Sequence, residues 1–142
     1  MDFWSLLFSF TGRVNRAPYW LATIGLIAAV LVVVMIAFTV AGRSAIAIIV
    51  AGVAFLLLIW VTLALITKRL HDRNKSAWWL LLFYILPGIL PALGLGNDSA
   101  NVILGLVSTG ISIWAFVEIG CLRGTAGPNS YGADPLQVRG TA

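Results

Sequence analysis

Lys68-Arg69-Leu70-His71-Asp72-Arg73-Asn74-Lys75-Ser76 is the densest polar stretch of this chain, and it stands between two long apolar runs. Residues 44–67 before it and 77–95 after it carry no charge at all. A helix that crosses a hydrocarbon core needs about 20 apolar residues, and both runs supply them. Outward from this pair lie two more runs, 18–41 and 101–122, the last interrupted by Glu118. The expected fold is therefore an all-α integral membrane protein of four transmembrane helices in a single domain. Residues 1–12 form an interfacial segment and 123–142 a tail.

Composition supports that reading. Of 142 residues, 61% are apolar and 10% charged, against roughly 25% charged in soluble domains. The mean hydropathy is +1.01. A soluble domain of this size leaves about a third of its unfolded-chain surface in water, which nine basic and five acidic residues cannot cover. A disulfide scaffold, a disordered chain and an ordinary cytosolic enzyme are excluded. The first run has basic residues before it, as a secretory leader would, but it is far longer than the roughly 7–15 apolar residues of a leader. It reads as a retained span.

Orientation follows from basic residues near the span ends. Arg13, Arg16, Lys68, Arg69, Arg73, Lys75, Arg123 and Arg139 fall in one set of connections, and Arg43 alone in the other. Both termini are expected in the cytoplasm. The net charge of +4 then reflects attraction to an anionic leaflet. No base-reading motif is present, so no nucleic acid is expected.

Within residues 1–12, Phe3, Trp4, Leu7 and Phe8 share one helical face, opposite Asp2, Ser5 and Ser9. That pattern predicts a short helix lying in the interface plane, with Arg13 and Arg16 toward headgroups. Gly12 permits a sharp turn, Asn15 is placed to cap the first span, and Pro18 falls in its first turn. In the third run, Pro87 and Pro91 each remove a helical hydrogen bond. This predicts either a simple kink or a broken-helix site of the kind transporters use. Gly105, Ser108, Thr109 and Ser112 put small residues on neighbouring stripes of the fourth run, a packing face first.

The polar corner reads as the end of one helix and the start of another. Lys68 and Asp72 are four apart and can pair, as can His71 and Lys75. Asn74 tolerates the left-handed conformation that ends a helix, and Ser76 can cap the next. Tyr19, Trp20, Trp78 and Trp79 are expected as interface anchors at headgroup level. His71 beside Asp72 suggests acid/base work, but sequence neighbours on a helix point about 100° apart, and no nucleophile is spaced near them. The lone Cys121 and one histidine offer no metal site. No cofactor and no catalytic role are expected.

Three motifs carry a family resemblance. Phe10-x-Gly12-Arg13-x-x-Arg16-x-x-Tyr19-Trp20, then Arg69-Leu70-His71-Asp72 with Ser76-x-Trp78-Trp79, then Gly127-x-Asn129-x-Tyr131-Gly132-x-Asp134-Pro135 together resemble the domain-of-unknown-function 805 family of small bacterial inner-membrane proteins. The resemblance covers nearly the whole chain. It implies a bacterial inner-membrane location and no established activity.

All three motifs fall on the expected cytoplasmic side. Arg13, Arg16, Lys68, Arg69, His71, Asp72, Arg73, Asn129 and Tyr131 are the candidate face for an anionic lipid headgroup or a partner. The partner would be another membrane protein or a second copy of this chain. Glu118 lies about one helical turn from the end of the fourth run. It is expected either in an ion pair with Arg13, Arg16, Lys68 or Arg69, or as an ion-coupling acid of a small transporter or channel component.

Overall fold

The computed structural model describes residues 2–94, 96 and 98–137. Leu95, the expected end of the third run, and Arg139 lie outside them. The chain is helical: α1 (Phe3–Phe8), α2 (Arg16–Ala41), α3 (Ala45–Asp72), a π-helical segment Leu81–Ile85 leading into α4 (Leu86–Leu93), and α5 (Asp98–Phe116), which ends in a second π-helical segment, Val117–Cys121. α2 packs along α3 and α4 along α5, giving two hairpins. α1 lies against α3, and both α2 and α3 touch the segment Val117–Cys121.

Three helices, Arg16–Ala41, Ala45–Asp72 and Asp98–Cys121, are long and apolar enough to cross a membrane. The expected run 77–95 is shorter as a helix, spanning Leu81–Leu93. That rises only about 20 Å, against a core of about 30 Å. Ala77 and Trp78 are in a turn, which removes the first residues. Pro87 then lacks an N–H, and its ring needs room at the Phe83 carbonyl. The wide turn of Leu81–Ile85, closed by Leu86 N–H donating to Leu81 O, supplies it.

The second proline is compensated from outside. The Pro87 carbonyl would normally accept from residue 91, which is also proline. The Ser108 hydroxyl of α5 donates to it instead, at 2.8 Å. Ser108→Ala is expected to lower stability by about 1 kcal/mol, seen as an earlier thermal transition in detergent. Thr109→Ala should change little, because that hydroxyl only returns to Gly105 of its own helix.

Burial gathers at one end. Val14, Leu65, Ile66, Leu70, Phe83 and Ile119 form the centre of the core. Toward the other end Val40, Ile46, Leu56, Val102 and Leu106 are strongly exposed, Val40 at 83%. Apolar surface this continuous does not face water in a monomeric soluble protein; lipid is its solvent. In α1, Phe3, Trp4 and Phe8 are exposed as expected of an interfacial helix. Leu7, grouped with them in the sequence, packs with Leu6 against the core.

The helix ends follow local chemistry closely. Asn74 adopts φ +56°. Lys75 N–H then donates to Leu70 O at 2.9 Å and Asn74 N–H to His71 O at 3.0 Å, the paired bonds of a Schellman motif. Asn15 occupies the cap position of α2, but its side chain caps nothing. A cap side chain accepts from the second or third N–H of the helix, and the third residue here is Pro18, which has none. The Asn15 amide oxygen is buried without a partner.

Candidate functional site

The three sequence motifs converge at the buried end. Asp72 is its centre: its Oδ1 accepts from Arg13 Nε at 3.2 Å, and its Oδ2 pairs with Arg69 Nη1. All three side chains are buried. The expected Lys68–Asp72 pair does not form. Arg13 reaches Asp72 from 59 positions away, while Lys68 points toward α1, where its Nζ donates to the Ser5 carbonyl at 2.8 Å and to the Leu6 carbonyl. Lys68 thereby closes the C-terminal end of a helix, where carbonyls lack partners and the dipole favours a cation.

His71 and Lys75 do not pair either, because α3 stops at Asp72 and the chain turns away through Asn74. His71 Nδ1 lies 3.3 Å from the Gly12 carbonyl, so Nδ1 carries the proton. Its ring stacks on Tyr131 with centroids 3.9 Å apart and planes 6° from parallel. Imidazole and the neighbouring carboxylate thus face different partners, and neither is poised for acid/base chemistry on the other.

Five successive carbonyls at the end of α5 are satisfied by side chains from α2, α3 and the corner after α3. Arg69 Nε donates to Ile119 O at 2.7 Å, Trp20 Nε1 to Gly120 O at 3.0 Å, and Arg16 Nη1 to Cys121 O at 2.9 Å. Arg69 Nη2 donates to Leu122 O and Arg73 Nη1 to Arg123 O. The orphan carbonyls of a helix end here become the joint between the two hairpins.

Beyond this joint the tail folds back over Asp72. Thr125 donates from its N–H and its hydroxyl to Asp72 O, at 2.8 and 3.1 Å. Arg13 donates to the carbonyls of Thr125, Gly127 and Gly132. Asn129 Nδ2 donates to His71 O. The carboxylate of Asp134 accepts from Leu136 N–H and Gly127 N–H, and these two bonds hold its pKa below the usual carboxylate range. Gly124 passes so close to Asp72 that a Cβ there would collide with the carboxylate.

Glu118 is in an ion pair, with different partners from those expected. Its Oε1 lies 2.9 Å from Arg73 Nη2 and 3.8 Å from Lys75 Nζ, whereas Arg13, Lys68 and Arg69 are engaged elsewhere. Lys75 also sits 3.8 Å over the Trp79 ring. Of the four expected anchors, Trp78 is 77% exposed, but Tyr19 is buried. Trp20 is turned inward to Gly120, and Trp79 packs on Phe83 and Trp114.

The basic face that a ligand can reach is therefore narrower than the sequence suggests. Arg13, Lys68 and Arg69 are internal. Arg16 and Arg123 remain exposed, and both line a cavity of about 520 Å³ whose other walls include Trp20, Asp72, Cys121 and Asp134. Both carboxylates are already occupied, Asp72 by two guanidiniums and Asp134 by two backbone N–H groups. Arg123 makes no ion pair among the described residues. Four guanidiniums, those of Arg13, Arg16, Arg69 and Arg123, stand at or behind the walls against the two carboxylates. Sequence reasoning missed Trp20 and Thr125 as structural donors, and no spacing signal would have found them. Among the described residues no cluster of His, Cys, Asp or Glu suits a metal ion.

The uncharacterized protein YiiR of Escherichia coli strain K12 is 36% identical over 94% of this chain and 90% of its own length. The inner membrane protein YhaH of the same organism is 29% identical over 89% of this chain and 86% of its own. No solved structure matches. With its apolar helices, the chain is a multi-pass protein of the bacterial inner membrane. A family model described as "Protein of unknown function (DUF805)" matches residues 7–133, which include all three motifs up to Ala133, and the chain belongs to that family.

Proposed function

We propose that the chain crosses the membrane four times with both termini in the cytoplasm, and that it is a non-catalytic module whose cytoplasmic end binds anionic lipid headgroups. The contacts around Asp72 support the topology. Arg13 precedes α2, Asp72 ends α3 and Thr125 follows α5, yet all three touch. In the proposed topology they lie on one side of the bilayer, with an even number of crossings between each. α5 is long enough to cross, and α4 crosses with it. Its short helix is accommodated by local thinning of the bilayer or by the turn residues before it.

The observation that carries the function is the cavity bordered by Arg16 and Arg123, two accessible guanidiniums on the side where the leaflet is anionic. A transporter reading has no comparable support: Glu118 is held by Arg73, and the Pro87 carbonyl in the kinked third span is taken by Ser108. Native mass spectrometry of the gently solubilised protein tests the proposal and reports oligomeric state as well. Wild type should retain phosphatidylglycerol. Arg16→Gln/Arg123→Gln should retain it at least tenfold less, since each charge-assisted hydrogen bond contributes about 1.5–3 kcal/mol. Equal retention by a folded double variant overturns it.

A further inference from the structure

Next to the Arg16–Arg123 cavity is a second one, of about 250 Å³, whose walls include Tyr19, Trp20, Phe83, Tyr84, Ala115 and Phe116. It occupies the gap between the two hairpins. Both π-helical segments border it, Leu81–Ile85 through Phe83 and Tyr84, and Val117–Cys121 through Ile119 and Gly120. Widened turns of this kind are frequent where a helix shapes a binding site. The two cavities share Trp20 and Gly120 as walls. One compartment is bordered by two guanidiniums, and its neighbour is lined mainly by aromatic and aliphatic side chains, with the hydroxyl-bearing Tyr19, Tyr84 and Ser112 among them. The second also opens sideways, because Tyr84, Ser112 and Phe116 on its border are exposed.

We infer that the two compartments are the head and chain halves of one site for a phosphate-headed lipid. This rests on the headgroup reading above and extends it. The phosphate lies against Arg16 and Arg123, and the upper part of one hydrocarbon chain turns inward past Trp20 and Gly120 to lie between Tyr19, Phe83 and Ala115. A chain moving out of the bilayer gains no hydrophobic free energy, because lipid tails are already apolar. The aromatic compartment contributes shape and packing, and so selects a chain-bearing phosphate over a free one. A water-soluble phosphate would need only the first compartment. A zwitterionic lipid would fill the second without matching the charge of the first.

The test uses the full chain in detergent and three probes: dioleoyl phosphatidic acid, dioleoyl phosphatidylcholine and inorganic phosphate. Retention is read by native mass spectrometry, and folding by thermal unfolding. Wild type should retain phosphatidic acid at least tenfold more than phosphatidylcholine, and equimolar inorganic phosphate should not displace it. Ser112→Phe fills the aromatic compartment from its exposed edge; the Ser112 hydroxyl bonds only to Ser108 O of its own helix, so no tertiary bond is lost. This variant should retain about tenfold less phosphatidic acid with unchanged melting, and Ser112→Leu, a milder filling, should fall in the same direction. Val102→Phe, on the exposed far end of α5, should retain as much as wild type.

If Arg123→Gln loses the lipid while both folded Ser112 variants keep it, the chain compartment is overturned and the headgroup reading stands. Displacement by equimolar inorganic phosphate has the same meaning. If phosphatidylcholine is retained as well as phosphatidic acid, or Arg123→Gln has no effect, both are overturned.

Discussion

Replacing Asp72 with alanine is expected to destabilise the folded chain by about 3–5 kcal/mol, the usual cost of removing one partner from a buried ion pair. Asp72 is 2% exposed and stands between Arg13 and Arg69, which are equally buried. In the variant both guanidiniums keep their backbone carbonyls, so their hydrogen bonds are mostly satisfied. Their charges are not, and two like charges are left side by side with little solvent between them. Asp72→Asn should be milder, because shape and two acceptor sites survive on one oxygen, but it too loses the neutralising charge. Thermal unfolding in detergent measures the first effect. Limited proteolysis within residues 124–137 measures whether the tail has lifted. A variant that melts with wild type and protects its tail equally would sink the idea that Asp72 organises this end.

Gly124→Ala is the second large effect, and it acts on the same atom from the other side. The added Cβ would meet the Asp72 carboxylate before anything else, and neither can retreat. The carboxylate is pinned by two arginines, and the Gly124 backbone is pinned by the adjacent Thr125 N–H donating to Asp72 O at 2.8 Å. Overpacking of this kind costs about 1–3 kcal/mol, here at the upper end. The decisive measurement is the double variant. With Asp72→Ala in place the obstacle is gone, so Gly124→Ala should then cost little, and the two effects should fall short of additivity by more than about 1 kcal/mol. Additivity within about 0.5 kcal/mol would mean that the close approach is not what Gly124 is for.

The spans were legible because lipid imposes length and apolarity together, and few segments of a soluble chain satisfy both. Turn chemistry was legible where one residue decides it. Asn74 takes the left-handed conformation by a preference intrinsic to its side chain. The length of α4 was not legible from hydropathy, since Ala77 and Trp78 are apolar and yet lie in a turn. Side-chain partners were the least legible. Lys68 and Asp72 obey the four-residue spacing rule, but a local pair contributes only about 0.2–0.5 kcal/mol, and Arg13, Arg69 and the α1 carbonyls offered more. Glu118 met Arg73 instead of Arg69 because the rotation of α5 about its own axis selects among cations at one level, and no sequence period encodes that rotation. The basic residues were read as facing lipid because the positive-inside bias concerns charge alone. It does not register that five carbonyls at the end of α5 also require donors.

The dependence of Arg13 on the tail has a consequence for how the protein is made. Thr125, whose carbonyl it caps, is 112 positions further along the chain, so the ribosome has delivered every helix before that acceptor exists. Until then the guanidinium can find Asp72 but not its remaining partners, and the end of α5 has no fold-back to cover it. Assembly of this end is thereby tied to residues synthesised after the described helices. A nascent chain stalled short of Thr125 lacks these bonds and leaves the Arg13–Asp72 pair uncovered. The bonds from Arg13 to the tail therefore distinguish chains extended past Thr125 from shorter ones.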